Sequence, residues 1–307
     1  MSIFAPVDVP ELQPAGTEPP SAPPRPAPAV RAARRLGRSA AQVAVLAIGL
    51  WWLVPTLGLA LTSLRSPADN SDTGWWTVLR EPAQLTLRNY QNLLADGRIT
   101  HAMWNTVLIS LPATVLVVAI GAAAAYPLAW LEFRGRQAVT AALVALIAVP
   151  VQVAILPDAR VFRLLGVSGT IPAMVAFHVA FGLPFAIFLL RNFYAAIPAD
   201  LIEAARMDGG GEFAIFRRVV LPLGAPALAS LAVFQFVWVW NDLVVALVFA
   251  HSDHAPITAV LQEQMRSFPS NIDVVAPGAF VSMAVPLLVF FLFQRFFLQS
   301  MLAGSVR

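Results

Sequence analysis

Six stretches of this chain run for eighteen or more residues with few or no charges, at about 40–63, 103–130, 138–157, 171–190, 223–250 and 278–298. Each is long enough to cross a hydrocarbon core about 30 Å thick. Lipid offers the backbone no hydrogen-bond partner, so a spanning segment must be a helix or part of a closed barrel, and runs of this length mean helices. The pattern predicts an all-α integral membrane protein with six transmembrane helices. Pro55, Pro112, Pro127, Pro184 and Pro286 fall inside these spans. They mark either functional breaks lining a cavity or ordinary kinked packing.

Composition agrees. The chain is 58% hydrophobic and 12% charged, against about 25% charged in soluble domains. It has no cysteine, which excludes disulfides, thiol nucleophiles and thiolate metal sites. All twenty basic residues are Arg, scattered through short loops with no basic face, so the high isoelectric point does not indicate nucleic-acid binding.

Residues 1–39 read as a Pro- and Arg-rich tail, unable to bury a core and expected to be disordered. The apolar run after it is too long for a signal-peptide core, which favours an uncleaved anchor over a secretory leader. With the N-terminus inside, thirteen of the twenty Arg fall in inner segments. The positive-inside bias therefore puts both termini in the cytoplasm. Trp75 and Trp76, in the outer segment before the second span, suit a membrane interface.

Between the fourth and fifth spans lies a polar segment, residues 198–222, read as two short helices around a glycine break. Pro198 suits a helix start. Leu201, Ala205 and Asp208 share one face. Gly209, Gly210 and Gly211 stop the first helix. Phe213, Phe216 and Val220 line one side of the second, and Pro222 ends it. On the inner side by the Arg count, such a hairpin is either a docking element or an amphipathic loop on the membrane.

Several polar residues sit within spans: Asn105, Gln152, His178, Gln235, Trp238, Trp240, Asn241 and Asp242. Amides and aromatic faces suit a carbohydrate, one bonding hydroxyls and the other stacking on the ring. Asn105, Gln152, Gln235, Trp238, Trp240, Asn241 and Asp242 are thus candidates for a substrate path. Asp242 is also readable as an interfacial carboxylate, and His178 as a packed, satisfied residue. No partner lies near His178 at metal-ligand spacing. No Gly-x-Ser-x-Gly elbow and no P-loop occurs. A secondary transporter would want coupling carboxylates in the spans and an internal repeat; only Asp242 is available and no repeat is visible.

Glu203-Ala-Ala-Arg-Met-Asp-Gly209, followed after eleven intervening residues by Leu221-Pro222, resembles the "EAA" loop of permease subunits from binding-protein-dependent ABC importers. Asp208, Phe216 and Val219 fit the same pattern. Gly210 departs from it, standing where Ala is usual, and is expected to loosen the turn. Leu87-Arg-Asn-Tyr90 resembles the lead-in of carbohydrate permeases, and Trp240-Asn241-Asp242-Leu243 their fifth-span signature. The end, Leu302-Ala-Gly304-Ser305-Val306-Arg307, is similar to the maltose-type tail, with Arg307 replacing a terminal Lys-Gly. Phe181-Gly-Leu-Pro184 and Leu190-Arg-Asn192 resemble the α-glucoside branch most. The resemblance covers roughly residues 40–307.

The resemblance implies a type I ABC importer permease with no catalytic residue, cofactor or metal of its own. ATP and Mg would be bound by two partner ATPase subunits. A second, homologous permease would complete the translocation path, and an extracytoplasmic solute-binding protein would deliver the sugar. Glu203, Ala204, Ala205, Asp208, Gly209, Phe216, Leu221 and Pro222 would form the coupling helix that seats in the ATPase. Gly304, Ser305, Val306 and Arg307 would form a tail reaching it.

Overall fold

The protein is described from a computed structural model covering residues 28–267 and 271–303, with side chains described for 41–266 and 271–294. The expected tail contacts at Gly304, Ser305, Val306 and Arg307, and the Pro-rich stretch before residue 28, lie outside the described residues. The chain divides into two compact units, 1–55 and 56–307.

Among the described residues the regular structure is helical. In chain order the helices are α1 Pro28–Ser63, α2 Pro67–Asp72, α3 Arg88–Ala95, α4 Gly97–Trp130, α5 Arg136–Ile147, α6 Val151–Leu164 and α7 Ile171–Ala195. They continue with α8 Ala199–Met207, α9 Glu212–Ile215, α10 Leu221–Leu223, α11 Ala225–Trp240, α12 Val244–Phe249, α13 Ile257–Ser267 and α14 Ile272–Ala303. A π-turn, Phe216–Val220, joins α9 to α10.

Helix α1 starts at Pro28, inside the stretch read from sequence as tail. Pro at a first helical position costs no hydrogen bond, and Ala, Arg and Leu behind it favour helix. Among the described residues four helical segments are long and apolar enough to span a membrane, in α1, α4, α7 and α14; two bent pairs bring the number to as many as six. The third expected span, 138–157, is one of these pairs: α5 and α6 meet at 98°. Pro150, which has no N–H to give, stands at the head of α6 and fixes the break. The other pair bends by 73° at Gly224, between Glu212–Leu223 and α11. A Cβ on Gly224 would lie 2.7 Å from Cε1 of Tyr194, so this corner admits no larger residue unchanged. The expected fifth span, 223–250, also stops at Trp240 and resumes as α12. By contrast Pro55, Pro112, Pro127, Pro184 and Pro286 all sit within continuous helices. The sharp corners come at Pro150 and Gly224 instead.

Within the second unit α4 and α7 pack closely. A Cβ on Gly121 of α4 would meet the Ala186 Cβ of α7 at 3.1 Å, a small-residue contact of the kind that lets membrane helices approach. One apolar cluster joins Ala125 and Tyr126 of α4, Leu190 and Tyr194 of α7, Ile202 of α8, Ile215 of α9 and Leu231 of α11. A second joins Ile109, Ile155, Phe177, Val239 and Phe249.

Residues 64–96 fold over the ends of α1 and α4, and at their centre is Arg65, 1% exposed. Its guanidinium donates to Gln84 Oε1, Asn70 Oδ1, the Thr73 and Asp69 carbonyls, and the hydroxyls of Thr73 and Thr77. A buried charge is tolerated only when its donors are met, and here neutral oxygens meet them. The Leu87–Tyr90 segment ties in as well. Asn89 Nδ2 donates to the carbonyls of Ser63 and Arg65, and the Tyr90 hydroxyl lies 2.8 Å from that of Ser63.

Candidate coupling hairpin

Helix α8 closes with a specific turn. The Gly209 N–H donates to the Arg206 carbonyl at 3.0 Å, and the Gly210 N–H to the Ala205 carbonyl at 3.1 Å. Gly209 has φ 79°. This is the paired hydrogen bonding of a Schellman cap, which needs a left-handed residue. The expectation that Gly210 would loosen the turn is reversed. A Cβ at Gly210 would stand 2.7 Å from the Ala205 carbonyl oxygen, so glycine lets this turn close tightly.

Two buried side chains root the hairpin, Ile202 on α8 and Ile215 on α9, both in the cluster shared with α4 and α7. Burying each is worth about 2–3 kcal/mol. A polar network adds to this. Arg206 Nε donates to Glu212 Oε1 at 3.0 Å, and Arg206 Nη2 to the Trp130 carbonyl at 3.3 Å. The Tyr126 hydroxyl donates to Glu212 Oε2 at 2.5 Å, and the Tyr126 ring lies 5.3 Å from that of Phe216. The hydrogen bond from Tyr126, then that from Arg206, holds the Glu212 carboxyl below its usual range. Glu212 also precharges the start of α9, where a carboxylate is favoured. The network therefore fixes both arms of the hairpin to the end of α4.

The opposite face is bare. Glu203, Ala204, Asp208 and Gly209 are exposed, as are Leu201, Met207 at 83% and Phe213 at 75%. Ala205 and Leu221 are half-buried, Phe216 is half-buried against Tyr126, and Pro222 is exposed. A rigidly rooted hairpin thus presents small residues beside two large apolar ones. Sequence reading missed Tyr126, Trp130, Arg206 and Glu212. The opposite charges flanking the glycine break were a usable signal for the last two; nothing local pointed to Tyr126.

The path candidates do not converge on one cavity. Asn105 is buried, its Nδ2 donating to the carbonyls of Asp253 and Ala255. Trp240 is buried, its Nε1 donating to the Ser282 carbonyl. Gln235 is buried where α4, α7 and α11 meet, close to Gly182. Asn241 bonds back to its own helix at Val237, and Gln152 is exposed on α6. Asp242 Oδ2 accepts from the N–H groups of Val245 and Ala246, tying down the first turn of α12. Trp238 meets His178 edge to face at 5.5 Å. His178 is buried, but its Nδ1 and the Ser110 hydroxyl have no hydrogen-bond partner among the described residues, unlike the satisfied residue expected. With Asp242 they line a cavity of 10 Å³, the room of about one water.

The model of the family described as "Binding-protein-dependent transport system inner membrane component" matches residues 116–303. The chain belongs to this family. The match takes in the hairpin and most of the membrane-spanning part of the permease. Its similarity to curated relatives is extensive. It is 45% identical over 270 residues to an osmoprotective compounds uptake permease protein of Synechocystis sp., covering 86% of this chain and 91% of that one. It is 41% identical over 233 residues to an alpha-glucoside transport system permease protein of Rhizobium meliloti, covering 74% and 61%. In structure it is similar to a chain of a bacterial ABC transporter involved in import of the acidic polysaccharide alginate. The TM-score is 0.71 at 22% identity, covering 89% of this permease and 98% of that chain, which shows a shared fold.

Proposed function

We propose that this permease is the membrane subunit of an ATP-driven importer for a carbohydrate, an α-glucoside di- or oligosaccharide being the substrate class favoured. It forms half of the translocation path with a second permease and is multi-pass in the cytoplasmic membrane, with six spans and both termini inside. Two ATPase subunits bind and hydrolyse ATP, and an extracytoplasmic solute-binding protein delivers the sugar. The observation that carries this reading is the hairpin at 198–222. It is anchored on one face by Ile202, Ile215 and the Arg206–Glu212–Tyr126 network, and it is bare on the other at Ala204, Met207 and Phe213. Such a lever passes a push from a docked protein to α4, α7 and α11 without local slack, as rigid-body switching requires. Glu203, Ala204, Ala205, Asp208 and Gly209 form the docking face, Phe216, Leu221 and Pro222 the return arm, and residues 304–307 a second ATPase contact. The named activity of the Rhizobium relative supports the α-glucoside class.

A second reading is favoured by the Synechocystis relative, whose name specifies osmoprotective compounds: the substrate is then a compatible solute, such as a sugar derivative or polyol. Reconstituting this permease with its partner permease, ATPases and binding protein separates the two. The proposal expects ATP-dependent uptake of maltose and longer α-glucosides, which are not osmolytes, that survives collapse of the sodium and proton gradients. Uptake confined to osmolytes selects the second reading. Uptake driven by a gradient without ATP rejects both.

A further inference from the structure

The loop after α4, the first turns of α5 and the end of α7 enclose a 1040 Å³ cleft unconnected with the hairpin's docking face. Its lining changes character along α5. Arg136, Gln137 and Thr140 stand at one end with Arg191 of α7, and Ala141 and Val144 continue the groove one turn further on. The polar end is electropositive for two reasons. First, α5 is preceded by Gly135, and no side chain caps its first turn, leaving the positive end of the helix open. Second, neither guanidinium is neutralised. The ion pairs among the described residues are Arg98–Glu263 and Arg206–Glu212, and neither involves Arg136 or Arg191. Arg136 reaches only the carbonyls of Leu131 and Ala129, at 3.3 and 3.4 Å. Arg191 donates through Nη1 to Asn192, while its buried Nε has no partner among the described residues. Glu132 lines the cleft too, but forms no ion pair with either Arg. No residue of α5 is buried, and Val139, Val144 and Leu146 are exposed, as they would be against lipid chains.

We infer that this cleft binds an anionic phospholipid of the cytoplasmic leaflet, its phosphate held by Arg136, Arg191 and the start of α5 and its acyl chain lying along Ala141 and Val144. Arg suits the phosphate because its fork of N–H donors can meet two oxygens at once. A free phosphate would satisfy the polar end but leave the apolar half of the groove unfilled. The leaflet assigned rests on the orientation proposed above.

The test uses the whole transporter, purified in detergent and examined by native mass spectrometry after equilibration with equal phosphatidylglycerol and phosphatidylcholine. Phosphatidylglycerol is expected to be retained preferentially. Arg136→Gln and Arg191→Gln should each reduce that preference roughly five-fold, the effect of about one Arg at an anionic surface. Thr140→Trp, which fills the groove and leaves both charges, should displace the lipid as well. Equal retention of the two lipids, or retention unchanged in all three variants, overturns the proposal. Displacement by millimolar inorganic phosphate also overturns it, because it makes free anion the ligand. Gln137→Cys, a single thiol in a cysteine-free chain, tests the leaflet separately. Labelling from the cytoplasmic face is expected. Labelling only from outside refutes the orientation, and with it the leaflet named here, while the retention assay still reads the site.

Discussion

Replacing Glu212 by Gln would remove the charge that Arg206 and Tyr126 both address. The pair is partly exposed, so its direct contribution is modest, below about 1 kcal/mol. The expected effect is on coupling: sugar-stimulated ATP hydrolysis should fall several-fold while the ATPases still co-purify. The same network carries a pH signature. The Glu212 carboxyl is held below its ordinary range, so its contribution is full above that range and disappears as pH falls through the depressed value. Protection factors at residues 206–212, corrected for the intrinsic pH dependence of amide exchange, should fall in the wild type as pH drops through the carboxylate range and stay low and flat in Glu212→Gln. Gly210→Ala is a second test at this scale. It puts a methyl against the Ala205 carbonyl and should destabilise the turn by about 1 kcal/mol, seen as faster exchange at residues 209 and 210. Unchanged exchange would mean the turn has more room than the geometry allows.

At the scale of elements, the apolar runs were legible because lipid demands long uncharged helices, and the glycine break was legible because only glycine takes φ 79° cheaply. The corners were not. Five prolines within spans leave their helices continuous, while Pro150 and Gly224 turn the chain by 98° and 73°. Each interior proline gives up one helical hydrogen bond and its neighbouring helices decide whether it bends the chain, while Pro150 stands at a helix start, where its missing N–H costs nothing. Tyr126 and Glu212 are 86 residues apart, so no window of sequence could pair them. Arg65 entered the sequence reading only as one charge in an orientation count, yet it organises residues 64–96. Arg65→Met should leave Thr73, Thr77, Gln84 and Asn70 without their shared donor and unfold this segment. Limited proteolysis in vesicles should then cut between residues 64 and 96 with the spans intact. Arg65→Lys should rescue only in part, because three donors cannot reach six acceptors.

In the whole molecule, labour in the proposed function is divided between a membrane bundle and a lever. Helices α4 and α7 form the rigid body. In the proposed function, force enters at the hairpin and α11, reached through the Gly224 corner, carries motion onward. The chain has no P-loop, and in the function proposed above the push of a partner ATPase arrives at the exposed face of 198–222. The path residues are spread between buried structural bonds and exposed positions. A complete path on this account needs the second permease. The most direct measurement is sugar-stimulated ATP hydrolysis by the reconstituted transporter carrying Gly209→Asp. That residue must take a left-handed conformation on the docking face. Loss of stimulation is expected, with weakened ATPase association, while the membrane part remains folded. Wild-type assembly and wild-type stimulation in that variant would contradict it.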